Sequence, residues 1–315
     1  MIAALAFSAL LAATPPPRPG EPLEEQVHQN ALVGEFAAPR EGVRQPAVIV
    51  LGGFAGGVPG DAFGFAQAGY AAFAVAYFGA APLPRAADLI PVETVSRAVD
   101  YLRARPEVNP DRIGIVGVSK GSELALLAAA SDPRIKSVAV VSPSAYVWFA
   151  PAFDGERARS SWTVNNGPLP FIAPEERAEA ALVQTYQSGG TFAFRDLYDA
   201  SLGAASAANV ASATIPVERI RGPILCIAGD DDREWDSAGA CNVIAARRKA
   251  AHTGSRDEVA IEPGAGHALA LSGRPLPDVV PSGKMKIRLG GSLAANARAG
   301  ADAWNRTLSF FGRTL

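Results

Sequence analysis

Cysteine is scarce, with two in 315 residues. That count excludes a disulfide framework, and without Cys-x-x-Cys or Cys/His spacing it offers no zinc site. Neither sign of charge is in excess: Lys plus Arg number 29 against 31 Asp plus Glu, a net charge of −2. The sequence therefore has no basic footprint for nucleic acid and no polybasic membrane patch. No run reaches the roughly 18 apolar residues that a membrane span needs. Histidine is limited to three residues, so each can be weighed by itself. Hydrophobic residues, by contrast, make up 49% of the chain and charged residues 19%. That balance excludes disorder as the main state and supplies a large core.

Ile2 to Ala13 is an apolar run of small residues followed by Thr14 and three prolines. Its length suits the core of an export signal, with cleavage near Ala13, although no Lys or Arg opens it. Residues 1–20 are thus expected to be a signal peptide with a Pro-rich linker, and 21–315 one α/β domain. With the signal the protein is exported, and without it cytoplasmic. Continuous apolar runs predict strands at Ala47–Leu51, Ala71–Tyr77, Arg112–Val118, Lys136–Val141, Pro223–Ala228 and Glu258–Ile261. Helical spacing predicts helices over Pro91–Arg105, Glu123–Ala130, Asp236–Arg248 and Leu293–Phe311, the last with Trp304, Leu308 and Phe311 on one stripe. Strands of this kind alternating with helices imply a mostly parallel sheet covered on both faces. Residues 142–220 interrupt the alternation with Trp148, Trp162 and a helical stretch at Pro174–Gln187. A segment that long between two core strands is expected to form a cap over the ligand-binding edge.

The sharpest motif is Gly117-Val118-Ser119-Lys120-Gly121, which fits G-x-S-x-G between a predicted strand and helix. A tight strand-to-helix turn there would expose Ser119 Oγ at the carboxyl end of the sheet. The Lys120 N–H, at the helix start, would face a developing oxyanion. A serine nucleophile needs a base. His28 precedes the core, and His252 sits at a helix end where a solvated histidine is ordinary. His267 follows a strand in the Gly-rich Pro263-Gly264-Ala265-Gly266-His267 and is the expected base. The acid is expected after Pro223–Ala228, where Asp230, Asp231 and Asp232 stand together. Asp232 is favoured, with Asp231 and Asp230 as alternatives. These carboxylates lack the spacing and glycine of a calcium loop, so no metal or other cofactor is expected. The Leu51-Gly52-Gly53-Phe54-Ala55-Gly56-Gly57 turn is expected to give the second oxyanion donor, from the N–H of Phe54 or Ala55. It is not a phosphate loop, because the G-x-x-x-x-G-K-S/T pattern is missing. Cys226, inside an apolar strand, reads as an inert core residue. A bond to Cys241 is open to it in an exported protein.

These motifs resemble a known family. Gly117–Leu126, Ser160-Ser161-Trp162 with Gly167-Pro168-Leu169-Pro170, and Gly229–Asp236 are similar to the C-terminal catalytic domain of acyl-CoA thioester hydrolases and bile acid-CoA:amino acid N-acyltransferases. So are Pro263–His267, Gly290-Gly291 and Ala301–Trp304. The resemblance spans about Ala47 to Phe311. It implies an α/β-hydrolase fold, dienelactone-hydrolase-like, with nucleophile, acid and base on Ser119, Asp232 and His267. It also implies a small acyl ester or thioester as substrate; the charge balance and the short apolar runs lead us to expect no nucleic acid as partner and no stable membrane span. Two departures stand out. The family carries a β-sandwich ahead of this domain, whereas here about thirty residues separate the Pro-rich stretch from the first core strand. The aminoacyltransferases use cysteine where this chain has Ser119, and a serine ester favours transfer to water. Export would also separate the enzyme from acyl-CoA, which makes a carboxylesterase the alternative. An acyltransferase using an amine or alcohol and a non-catalytic binding module are the other readings.

Overall fold

The computed structural model describes residues 21–29, 31–40, 44–150, 158–269, 271 and 275–315. The leader expected over 1–20 lies outside them. Eight strands form one sheet: β1 (Leu23–Gln29), β2 (Leu32–Ala38), β3 (Gln45–Leu51), β4 (Ala71–Ala76), β5 (Val108–Val118), β6 (Ile135–Val141), β7 (Ile224–Gly229) and β8 (Glu258–Glu262). Their order is β1-β2-β4-β3-β5-β6-β7-β8. β2 runs antiparallel to both neighbours, and every other pairing in the sheet is parallel. This is the α/β-hydrolase architecture that the sequence implied.

The helices are α1 (Ala62–Gln67), α2 (Glu93–Arg103), α3 (Lys120–Ser131), α4 (Glu176–Ser188), α5 (Phe194–Ala204), α6 (Ala207–Ala213), α7 (Ser237–Ala250) and α8 (Leu293–Thr314). Strand side chains alternate between two faces, so the runs in the interior parallel strands are apolar on both. On one face Ile49, Leu51, Ile115 and Val140 pack with Val95, Val99 and Leu102 of α2, Leu124 and Leu127 of α3, and Ile244 of α7. On the other, Val48, Val50, Val116 and Val141 pack with Phe65 of α1 and Phe310 and Phe311 of α8. Parallel order places the carboxyl ends of β3, β5, β6, β7 and β8 along one edge, where α/β folds place their ligands.

Residues 142–220 leave from that edge after β6. Trp148, Ile172, Leu182, Leu197 and Tyr198 cluster there with Trp235, while Trp162 and Val147 pack into the main core. Several elements were not read from the sequence. The β1–β2 hairpin is one; LEEQVHQ offers only Leu23 and Val27 as apolar signals and forms the outer edge. Helices α5 and α6 are others. So is a small hairpin, Val279–Ser282 with Met285–Arg288, that pairs with Thr191–Phe192. Cys226 needs correction. It is not a lone core residue but is bonded to Cys241, with Cα atoms 5.7 Å apart. β7 and α7 pack face to face, which brings two positions 15 apart in sequence within bonding range. Among the described residues no helix is long and apolar enough to cross a membrane.

Candidate active site

Ser119 stands between the end of β5 and the first residue of α3, with φ 54° and ψ −123°. A side chain in that left-handed region is strained, and the neighbours show what enforces it. A Cβ on Gly117 would lie 2.3 Å from Gly121 O, and one on Gly121 would lie 2.3 Å from Gly52 O. Only glycine at both positions lets the helix start fold back against the strand and the β3 loop. Ser119 N–H donates to Val141 O on the neighbouring strand at 2.9 Å, which fixes the turn to the sheet.

His267 follows β8, and Asp232 follows β7. His267 Nε2 is 2.7 Å from Ser119 Oγ, and Nδ1 is 2.9 Å from Asp232 Oδ2. Of the three consecutive aspartates, Asp232 is the one that reaches the imidazole. Its Oδ2 also accepts the Ser237 hydroxyl at 2.6 Å, and its Oδ1 accepts the N–H groups of Glu234 and Trp235. Asp231 turns away to accept Gly291 N–H at 3.0 Å, and Asp230 accepts Gly264 N–H at 2.6 Å. Both clamp loops instead. His28 and His252 lie exposed and take no part. His252, just beyond α7, has a positive φ of 59°.

The imidazole is held from several directions. Its backbone N–H donates to Leu289 O at 2.8 Å, and its carbonyl accepts the Ser142 hydroxyl at 2.7 Å. Trp235 stands edge-on to the ring, with centroids 5.3 Å apart, and its indole donates to Ser142 O. Buried Asn296 of α8 accepts Gly266 N–H at 2.8 Å and donates to Leu276 O and Gly290 O. Burial opposes charge on His267. The Asp232 carboxylate outweighs it by charge and hydrogen bond, and Glu234 adds to this, so the pKa is raised above its usual value. Burial also pushes Glu234 up to about 7. His267 lowers it, and Asp232 raises it further.

The β3 loop that carries the expected donor Phe54 runs close to the hydroxyl. Lys120 follows Ser119 directly, and a Cβ on Gly53, the residue before Phe54, would lie 3.5 Å from Ser119 Oγ. Such a site can pass a proton from hydroxyl to imidazole beside a carboxylate. Sequence reasoning missed Ser237, Ser142, Trp235 and Asn296. Ser142, Trp235 and Asn296 hold the site through partners far away in the chain, and Ser237, five residues from Asp232, has no catalytic pattern to mark it.

A model of the family "BAAT / Acyl-CoA thioester hydrolase C terminal" matches residues 90–315, and that of the dienelactone hydrolase family matches 33–146. The chain is 29% identical to a peroxisomal succinyl-coenzyme A thioesterase of Mus musculus over 276 residues, 86% of this chain and 60% of that one. It is 28% identical to acyl-coenzyme A thioesterase 1 of Homo sapiens over 298 residues, 92% of this chain and 65% of the other. It thus spans about 60–65% of the length of these relatives. In structure it is similar to a dienelactone hydrolase-like phosphotriesterase from metagenomic libraries. That match has a TM-score of 0.51 and 16% identity, covering 93% of this chain and 98% of that one. At that identity the likeness concerns the fold.

Proposed function

The chain belongs to the BAAT / acyl-CoA thioester hydrolase C-terminal family, and from that premise we propose a serine hydrolase that cleaves acyl thioesters or esters through an acyl-enzyme. The observation that carries this reading is the unbroken hydrogen-bonded line from Ser119 Oγ through His267 to Asp232. In this reading Ser119 Oγ attacks the acyl carbonyl while His267 Nε2 takes its proton. Asp232, accepting from Nδ1–H, fixes the tautomer and stabilises the imidazolium. The N–H groups of Lys120 and Phe54 receive the oxyanion. His267 then protonates the leaving thiol or alcohol. Water, deprotonated by the same imidazole, releases the acid and restores Ser119. We read residues 142–220 as a cap on one α/β domain, shaping the space for the acyl group.

A second reading is favoured by one observation, the Cys226–Cys241 bond. Disulfides persist in oxidising compartments, which agrees with the apolar N-terminal run and with export. An exported enzyme would act on carboxylic esters instead of CoA thioesters. Transfer to an amine or alcohol is the least favoured outcome for a serine ester in water.

Ser119→Ala decides the mechanism. We expect turnover to fall about 10⁴-fold or more, with loss of covalent labelling by a fluorophosphonate and an unchanged circular dichroism spectrum. Labelling that survives the substitution overturns the reading. A panel of p-nitrophenyl esters and acyl-CoAs of graded length, with cell fractionation, separates the two substrate classes.

A further inference from the structure

The reading above uses Ser119 and the backbone N–H of Lys120. It leaves unused the two charged side chains of the first turn of α3. Lys120 is 1% exposed and Glu123 is fully buried. Lys120 Nζ lies 2.8 Å from Glu123 Oε1. The other carboxylate oxygen accepts the indole N–H of Trp162 at 2.8 Å and the backbone N–H of Trp148 at 3.2 Å. The ammonium group also sits 5.5 Å from the centre of the Trp162 ring. In the same turn, Ser122 Oγ accepts the N–H of Ser144 at 3.3 Å, and Ser144 Oγ accepts the Trp148 indole at 2.7 Å. Ser144, Trp148 and Trp162 all belong to the long segment between β6 and β7. That segment is therefore bolted to the helix turn that carries Ser119.

Stability alone is a poor reason for such a pair. Removing two charges from water is costly, and apolar side chains of the same volume commonly serve a core as well or better. Position is a better reason. The Lys120 side chain cannot swing away without leaving a buried carboxylate unpaired, so its Cα, and the peptide N–H before it, are held in one orientation. In the reading above, that N–H is the one that meets the oxyanion.

We propose that Glu123 is a positioning residue. Acting through the Lys120 side chain, with Trp148 and Trp162 holding its far oxygen, it fixes the Lys120 peptide against the developing oxyanion and links the β6–β7 segment to the reaction. The proposal rests on the reading of Ser119 as nucleophile. It predicts an effect on acylation and none on ground-state binding, because the oxyanion forms only as the bond is made.

Glu123→Gln keeps the size of the side chain and an acceptor for the indole, and removes the charge facing Lys120. The measurements are the fluorophosphonate labelling rate and the kcat and KM for a p-nitrophenyl ester, each per folded molecule from active-site titration. We expect labelling and kcat to fall about tenfold to a hundredfold with KM within about twofold. A wild-type labelling rate per folded molecule overturns the proposal, since a purely structural pair lowers the melting temperature without changing that rate. If Glu123→Gln does not fold, Trp162→Phe reads the same link by removing only the indole donor. Labelling about threefold slower supports the proposal, and an unchanged rate overturns it. Labelling of Ser119→Ala would instead sink the serine reading itself, so the two failures are told apart.

Discussion

Ser119 is placed largely by its own strand, turn and helix, whereas His267 and Asp232 are placed by side chains gathered from Ser142 to Asn296. At the elbow, two glycines and the β3 loop leave one way for the backbone to turn. At the other end, Asp230 holds the loop of His267 through Gly264, and Asp231 holds Gly291. Asp278 holds Gly290 at 2.9 Å, and Asn296 holds Gly266 at 2.8 Å. A nucleophile can be encoded locally because its constraint is steric. A base and its acid must be suspended from the sheet edge by loops, and loops need polar ties to hold one conformation.

The largest test of this contrast is Asp232→Asn. It keeps the shape of the acid and reverses the tautomer preference of His267, and we expect kcat to fall about 10³- to 10⁴-fold in a protein that melts near wild type. A smaller loss would mean that the elbow end does more than the loop end. Next comes the brace across the acid loop. Cys226 and Cys241 flank Asp232 with a separation of 15 residues, and replacing both by alanine is expected to cost about 3 kcal/mol of stability, seen in urea unfolding. Turnover per folded molecule should change little if the polar ties suffice once the chain has folded. Asn296→Ala removes one of those ties. We expect about 1–3 kcal/mol of destabilisation together with a fall in kcat, and undiminished turnover of the folded variant would break the comparison. The smallest effect concerns pH. The base must be neutral to accept the serine proton, so activity rises as pH passes the raised pKa of His267. Ionised Glu234 supports the imidazolium. Glu234→Gln should therefore move the acid limb of kcat/KM to lower pH, and an unmoved limb would show that Glu234 does not act on the base.

The same contrast explains what could be read before the coordinates. The strands β3 to β7 announce themselves by apolar runs, because burial on both sheet faces leaves no other composition, β8 by the short run from Val259 to Ile261, and α2 and α8 by their stripes. G-x-S-x-G names its serine from five residues. His267 and Asp232 were legible as positions after strands, with Asp232 favoured among the three aspartates, and Asp232 is the one hydrogen-bonded to the imidazole. The supporting cast was not legible. Ser142 touches the residue 125 positions away, and the Asn296 amide spans 30. The carbonyl that takes the His267 N–H belongs to Leu289, just beyond a hairpin whose strands hold only four residues each. The disulfide depended on how α7 packs on β7, which no spacing rule supplies.

The backbone at Ser119, with its φ of 54°, suits a residue without a side chain. Glycine there would rest where serine is forced, and it would have no hydroxyl to offer. A library sorted only for heat resistance should therefore enrich Ser119→Gly and discard catalysis with it. If Ser119 is the nucleophile proposed above, durability and turnover are rival goals at this position.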